Sequence, residues 1–167
     1  MRTLYLLRHA EAAWNNAHTI DFDRSLSAQG LANAASLNRF LIGLGVGFDK
    51  VLCSASERTR QTQESVLQDV EIGAPTEFLD SLYCASDEVI VDRIKGQSNA
   101  LSTLLIIGHN PAMHQVFEQL SGTAVAGYPT CTLSALKVVG DWRNIQCQVS
   151  KVKHFLSPKR LLERRWE

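Results

Sequence analysis

The sequence predicts an α/β fold: one domain, a three-layer sandwich with a mainly parallel central sheet and helices on both faces. Three observations predict it. Short apolar, β-favouring runs alternate with segments of helical period, the pattern of a parallel sheet joined by crossover helices. Three of those runs, ending at Leu7, Cys53 and Ile107, break at once into polar residues. The chain has 167 residues, which suits a single domain over 1–167 with a sizeable core.

The elements follow in order. Thr3–Leu7 is a buried strand that stops at Arg8-His9. Residues 12–26 lack periodicity and are rich in turn formers, so they read as a loop over the strand end. Ser27 can cap a helix to about Leu44, with Leu31, Ala34, Leu37, Leu41 and Leu44 as its inner stripe and Gly43, Gly45 and Gly47 ending it. Asp49–Cys53 is a second strand. Ser54-Ala55-Ser56-Glu57 has the form of a capping box with Ser54 as N-cap, opening a helix to about Leu67. Arg58 and Arg60 fall in its first turns, where cations oppose the helix dipole unless an anion sits nearby. Arg60 reads as a surface residue.

A weak strand near Pro75–Leu79 comes next, then a helix capped by Ser86 and stopped by Gly96. Thr103–Ile107 is the clearest buried strand, ending in Gly108-His109-Asn110-Pro111. Asn110 as N-cap and Pro111 at the first helical position open a helix with Met113, Val116, Phe117 and Leu120 inside. His109 is not explained by helix chemistry. His18, His114 and His154 read as structural. Residues 130–139 and 145–155 form a terminal antiparallel pair around Gly140-Asp141. The tail 157–167 reads as a short amphipathic helix with Leu161, Leu162 and Trp166, and its basic residues could contact an acidic partner.

Composition narrows the function. Lys+Arg and Asp+Glu are both 17, which argues against a nucleic-acid partner. The apolar run at 3–7 is too short for a signal peptide or a membrane span, so a cytoplasmic protein with no membrane partner is expected. Cys53, Cys84, Cys131 and Cys147 show no C-x-x-C spacing and read as buried small hydrophobes. No H-x-x-x-H spacing or carboxylate cluster is evident, so neither a metal nor another cofactor is expected.

In a parallel α/β sheet the strand ends share one edge, so Arg8-His9, Ser54 with Arg58, and Gly108-His109 can converge. Two guanidiniums and two imidazoles make an anion pocket. Arginine forks match phosphate oxygens, and one imidazole is free to attack phosphorus.

Leu7-Arg8-His9-Ala10-Glu11, Ser54 with Arg58 and Thr62, and Gly108-His109-Asn110-Pro111 together resemble the histidine phosphatase superfamily, also called phosphoglycerate mutase-like. The resemblance spans nearly the whole chain. Its short length, Asp23-Arg24-Ser25-Leu26 with Gly30, and Leu82-Tyr83 look most like the small SixA-type branch, associated with phosphohistidine phosphatase activity. The resemblance implies a metal-independent phosphatase with a phosphorylated protein or a small phosphorylated molecule as its substrate. It implies His9 as nucleophile, Arg8, Arg58 and His109 as phosphate pocket, and Asn15 as a secondary contact; Asn110 joins Asn15 as a substrate-binding candidate. Larger relatives carry a Glu after the third strand to protonate the leaving oxygen. Here Ser81 stands at that site, and Asp80, Glu11 and Asp23 are the candidate acids. Other readings are a phosphomonoesterase of the same superfamily, a non-catalytic phospho-ligand module, and a metallohydrolase using His9, Glu11 and His109.

Overall fold

The computed structural model describes residues 1–14, 17–147 and 150–163, with the side chains of 146 and 147 left aside. Asn15, Cys147 as a side chain, and the tail residues Arg164, Arg165, Trp166 and Glu167 lie outside that description.

Six strands, β1 (Arg2–Arg8), β2 (Lys50–Ser54), β3 (Glu77–Leu79), β4 (Thr103–Gly108), β5 (Leu133–Val138) and β6 (Lys151–Leu156), form one sheet in the order β3-β2-β4-β1-β5-β6. β3, β2, β4 and β1 run parallel, while β5 pairs antiparallel with both β1 and β6. Five helices cover it: α1 (Ala28–Leu44), α2 (Glu57–Val66), α3 (Asp87–Lys95), α4 (Ala112–Ser121) and α5 (Pro158–Glu163).

Strand alternation sorts the core into two layers. Leu4, Leu6, Leu52, Leu104 and Ile106 pack with α3 and α4, together with Tyr128 and Trp142. Tyr5, Leu7, Val51, Cys53, Leu105 and Ile107 pack with α1 and α2, joined by Leu161 of α5. Burying each such aliphatic side chain stabilises the fold by about 1.5–3 kcal/mol. Parallel strands buried on both faces read as continuous apolar runs, which is what β1 and β4 are.

Several boundaries differ from expectation. Ser27 does cap α1, its side chain accepting from Gly30 N, and Gly45 ends that helix at φ 63°. The inner stripe, however, runs through Gly30, Ala34, Leu37 and Leu41, with Leu31 and Leu44 exposed. Gly30 faces the loop after β1 so closely that a Cβ there would clash with Glu11 O. Ser54 is the last residue of β2 rather than a helix cap; the N-cap of α2 is Ser56. Pro111, not Asn110, holds the N-cap position of α4. The link between β5 and β6 is no tight turn, because a 3-10 helix, Trp142–Cys147, buries Trp142 and Ile145 there. The tail helix α5 is six residues long, with Leu161 buried and Leu162 exposed. Cys53 and Cys131 are buried, and burial pushes both thiols up to about 12; Cys84 is exposed, against expectation. Among the described residues, no helix is long and apolar enough to cross a membrane.

Candidate active site

Strand register brings the signals together. Arg8 lies opposite Gly108 and Cys53 opposite Ile107, so His9, His109 and Ser54 emerge side by side at the C-terminal edge of the sheet. The backbone around His9 is then pinned. His9 N donates to Gly108 O at 3.0 Å, and Cys131 N donates to His9 O at 2.9 Å. Ala10 N donates to Thr62 Oγ1 at 2.9 Å, and that hydroxyl donates to Arg58 O at 2.7 Å. Thr62 thus ties α2 to the loop that carries His9.

His9 is 8% exposed. Its Nδ1 lies 2.6 Å from Ala10 O. A carbonyl only accepts, so Nδ1 carries the proton and Nε2 keeps its lone pair. Burial pushes the His9 pKa down to about 3; His109, Arg58 and Arg8 push the same way, and the Ala10 bond opposes them. The ring is therefore neutral across the physiological range.

The His109 ring centroid is 5.2 Å from that of His9. Arg58 Nη2 meets its Nδ1 at 3.4 Å, and its Nε2 lies 2.7 Å from Ser54 Oγ. With a guanidinium donating to Nδ1, Nε2 carries the proton and donates to the serine. Burial, then Arg58, hold the His109 pKa down to about 4, with Asp21 opposing. Ser54 is thus a positioning group for His109.

Arg8 Nη1 donates to Tyr128 O at 2.9 Å, and Asn110 Nδ2 donates to the same oxygen at 2.9 Å. Asn110 therefore supports the segment that holds Arg8 instead of capping a helix. Among the described residues, Arg8 Nε and Asn110 Oδ1 are buried without a hydrogen-bond partner. Burial and the nearby Arg58 lower the Arg8 pKa, yet a guanidinium stays charged. Tyr128 is fully enclosed, its hydroxyl donating to Leu6 O at 2.7 Å.

Arg58 is buried, while Arg60 is exposed, donating Nε to Ala55 O and lying 4.1 Å over the Phe78 ring. Arg58 Nη1 donates to Asp21 O at 2.7 Å and Nη2 to Asp21 Oδ2 at 3.0 Å. Tyr83 OH donates to the same Oδ2 at 2.6 Å. That bond is the main cause holding the Asp21 carboxyl down to about 2, and it pushes Tyr83 up to about 12.

None of the candidate acids is hydrogen-bonded to His9, Arg8, Arg58 or His109. Glu11 accepts from Ser27 Oγ at 2.7 Å, at the start of α1, and Asp23 and Asp80 are exposed. The carboxylate bonded into the site is Asp21, which the sequence reading passed over. The signal that could have found it is Arg58 itself: a guanidinium that closes into a helix N-terminus needs an acceptor, and the loop 12–26 is acidic at 21 and 23. Among the described residues, no group of three or more His, Cys, Asp or Glu side chains is arranged to hold a metal ion.

The sequence signature of the histidine phosphatase superfamily (branch 1) matches residues 4–83. An uncharacterised chloroplastic protein of Arabidopsis thaliana is 32% identical over 84% of this chain and 68% of its own. An uncharacterised protein of Mycobacterium tuberculosis is 29% identical over 92% of this chain and the whole of its own. Among solved structures, a protein of Agrobacterium tumefaciens provisionally named phosphohistidine phosphatase SixA is 29% identical, with a TM-score of 0.79 over 94% of this chain and 98% of that one. A protein histidine phosphatase SixA complexed with tungstate shares the fold at 22% identity, with a TM-score of 0.81 over 95% of this chain and 99% of that one.

Proposed function

The chain belongs to the histidine phosphatase superfamily, branch 1, and from that premise we propose that it is a metal-independent phosphohydrolase acting on phosphohistidine through a phosphorylated His9. The observation that carries this reading is the bond between His9 Nδ1 and Ala10 O, which leaves Nε2 as a lone pair on a buried neutral ring. Arg8, Arg58 and His109 lie around that ring; the two guanidiniums supply donors for the oxygens of a phosphoryl group in transfer, while His109, its Nε2–H on Ser54, accepts from Arg58.

The reaction has two displacements. The His9 Nε2 lone pair forms a bond to phosphorus while the bond from phosphorus to the leaving nitrogen breaks, and the leaving imidazole takes that electron pair. The phosphorylated ring keeps its proton on Nδ1 and is cationic, which strengthens the bond to Ala10 O. Water then attacks phosphorus, the P–Nε2 bond breaks, and His9 returns as the neutral Nδ1–H form. One proton of the water stays on the phosphate product and the other passes to solvent, so hydrogen phosphate leaves.

The leaving group decides the substrate class. An alkoxide needs a positioned acid. Asp21, at about 2, is ionised at neutral pH, and Tyr83, at about 12, holds its proton firmly. Phosphohistidine carries its own solution: the second ring nitrogen of the leaving imidazole takes a proton from water near neutral pH. The name given to the Agrobacterium relative points the same way.

The test is a matched series of kcat/KM on phosphohistidine, an aryl phosphate and 3-phosphoglycerate. The expected order is phosphohistidine first and the alkyl ester last. His9→Ala removes turnover, and mass spectrometry of the native enzyme, quenched without acid, finds the phosphoryl group on His9. Full activity in His9→Ala, or a preference for the alkyl ester, overturns the reading. Phosphate binding with no turnover on any of the three makes the chain a phospho-ligand module instead.

A further inference from the structure

A guanidinium presents two edges for paired hydrogen bonds, one formed by Nη1 and Nη2 and the other by Nε and Nη2. In Arg58 the first edge belongs to a single residue. Asp21 O accepts from Nη1 at 2.7 Å and Asp21 Oδ2 from Nη2 at 3.0 Å. Two acceptors on one residue fix both the direction and the plane of the group. The second edge is turned the other way, with Nη2 3.4 Å from His109 Nδ1.

We propose that Asp21 is a positioning residue whose two-point grip on Arg58 turns the Nε/Nη2 edge toward the phosphoryl group between His9 and His109, where a phosphoryl oxygen takes over the Nη2–H now directed at His109 Nδ1. The role deepens the phosphatase reading and rests on it.

The grip is itself braced. Tyr83 OH donates to Asp21 Oδ2 at 2.6 Å and Arg24 Nη1 to Oδ1 at 3.1 Å. Arg24 stacks 3.5 Å above the Trp14 ring and donates to Ala12 O and Ala13 O, so the brace reaches the loop that follows His9. Phe22, the residue after Asp21, packs edge-on against Tyr83 at 4.9 Å. The side chain of Asp21 stays 47% exposed while that of Arg58 is 8% exposed. That is the arrangement of an anchor at the rim holding a working group inside.

The arrangement makes a prediction that a merely structural residue would not. The carboxylate cancels part of the charge on Arg58, so it weakens simple anion binding. It also fixes the fork, so it speeds a reaction whose transition state needs aligned donors. Binding and turnover should then move in opposite directions when the charge is removed.

The experiment uses the full chain with Asp21→Asn, Tyr83→Phe, Arg58→Lys and the Asp21→Asn/Arg58→Lys pair. Turnover is followed on phosphohistidine, and inorganic phosphate binding is followed by calorimetry. Asp21→Asn should lower kcat about tenfold or more and bind phosphate about threefold more tightly. Tyr83→Phe, which keeps the carboxylate and loosens it, should lower kcat less. In the Arg58→Lys background Asp21→Asn should add no further loss, since an ammonium has no fork to orient. An unchanged kcat in Asp21→Asn, or a further full loss in the Arg58→Lys background, overturns the proposal. So does weaker phosphate binding in step with lower kcat, which marks a collapsed loop. Should Asp21→Asn fail to fold, Tyr83→Phe with wild-type kcat overturns it as well. Absence of turnover in the wild type would instead strike the phosphatase reading, and the phosphate affinities would still report on the grip.

Discussion

His9 and His109 make the stability of this protein steeply dependent on pH between about 7 and about 5. Both rings are buried and neutral, with pKa values held to about 3 and about 4. In the unfolded chain each returns to about 6.5. Between those values the unfolded state binds more protons than the folded one, so stability falls as pH falls. The loss begins near the unfolded pKa and levels off only below the folded pKa. Going from about pH 7 to about pH 5 costs about 2 kcal/mol for each ring, hence about 4 kcal/mol for the pair. That is a large part of the ~5–15 kcal/mol that holds an ordinary domain together. The carboxylates with lowered pKa values, Asp21, Asp49 and Glu118, lose their contribution further down, as pH falls from the ordinary carboxylate range toward their lowered values. The assay is the unfolding free energy from urea titrations at half-unit steps of pH. Substituting either ring with Gln should remove about half of the slope, and substituting both should remove nearly all of it. A double variant that keeps the wild-type slope would refute the claim that these two rings are the buried neutral groups.

The remaining predictions concern the donors around the pocket. Arg58→Lys should lower kcat by about 10²–10³, because one ammonium cannot reproduce a fork; Arg60→Ala, outside the pocket on Phe78, should leave kcat within a few-fold, and the reverse outcome would show that the wrong arginine has been placed in the site. Ser54→Ala should destabilise the fold by about 1 kcal/mol and lower kcat several-fold, because His109 Nε2–H loses its acceptor at 2.7 Å; an unchanged kcat with wild-type stability would mean that His109 is held by its packing alone.

The fold was legible because its sheet is buried on both sides. Apolar runs such as Leu4–Leu7 and Leu104–Ile107 carry their own signal, and the caps Ser27 and Ser86 mark two helix starts that the structure keeps. What escaped was decided by contacts distant in sequence. Ser54 has the residues of a capping box, but its hydroxyl meets His109 Nε2, 55 positions away. Asn110 precedes a proline in the pattern of an N-cap, but its amide donates to Tyr128 O, 18 positions away. Leu31 has the right spacing to face inward, and the close approach of Gly30 to Glu11 O rotates the stripe away from it. In each case local propensity named a sound use for the residue, and a tertiary partner offered a better one.

The same distinction bears on the missing acid. His9, His109, Arg8 and Arg58 announce themselves at strand and helix ends, because their chemistry has no other employment there. A carboxylate in a loop announces nothing, since a general acid and an anchor for arginine look alike in sequence. They part only in their surroundings: an acid needs burial or a like charge to raise its pKa, whereas an anchor is surrounded by donors that lower it. Asp21 has Tyr83, Arg24 and Arg58 as donors and is held to about 2, which makes it an anchor. Under the proposed phosphatase reading, the charged groups bonded into the site hold or align the phosphoryl group, and none is poised to give a proton to what leaves. The demand for that proton passes to the substrate, and an imidazole, whose ring accepts one near neutrality, is the leaving group that meets it.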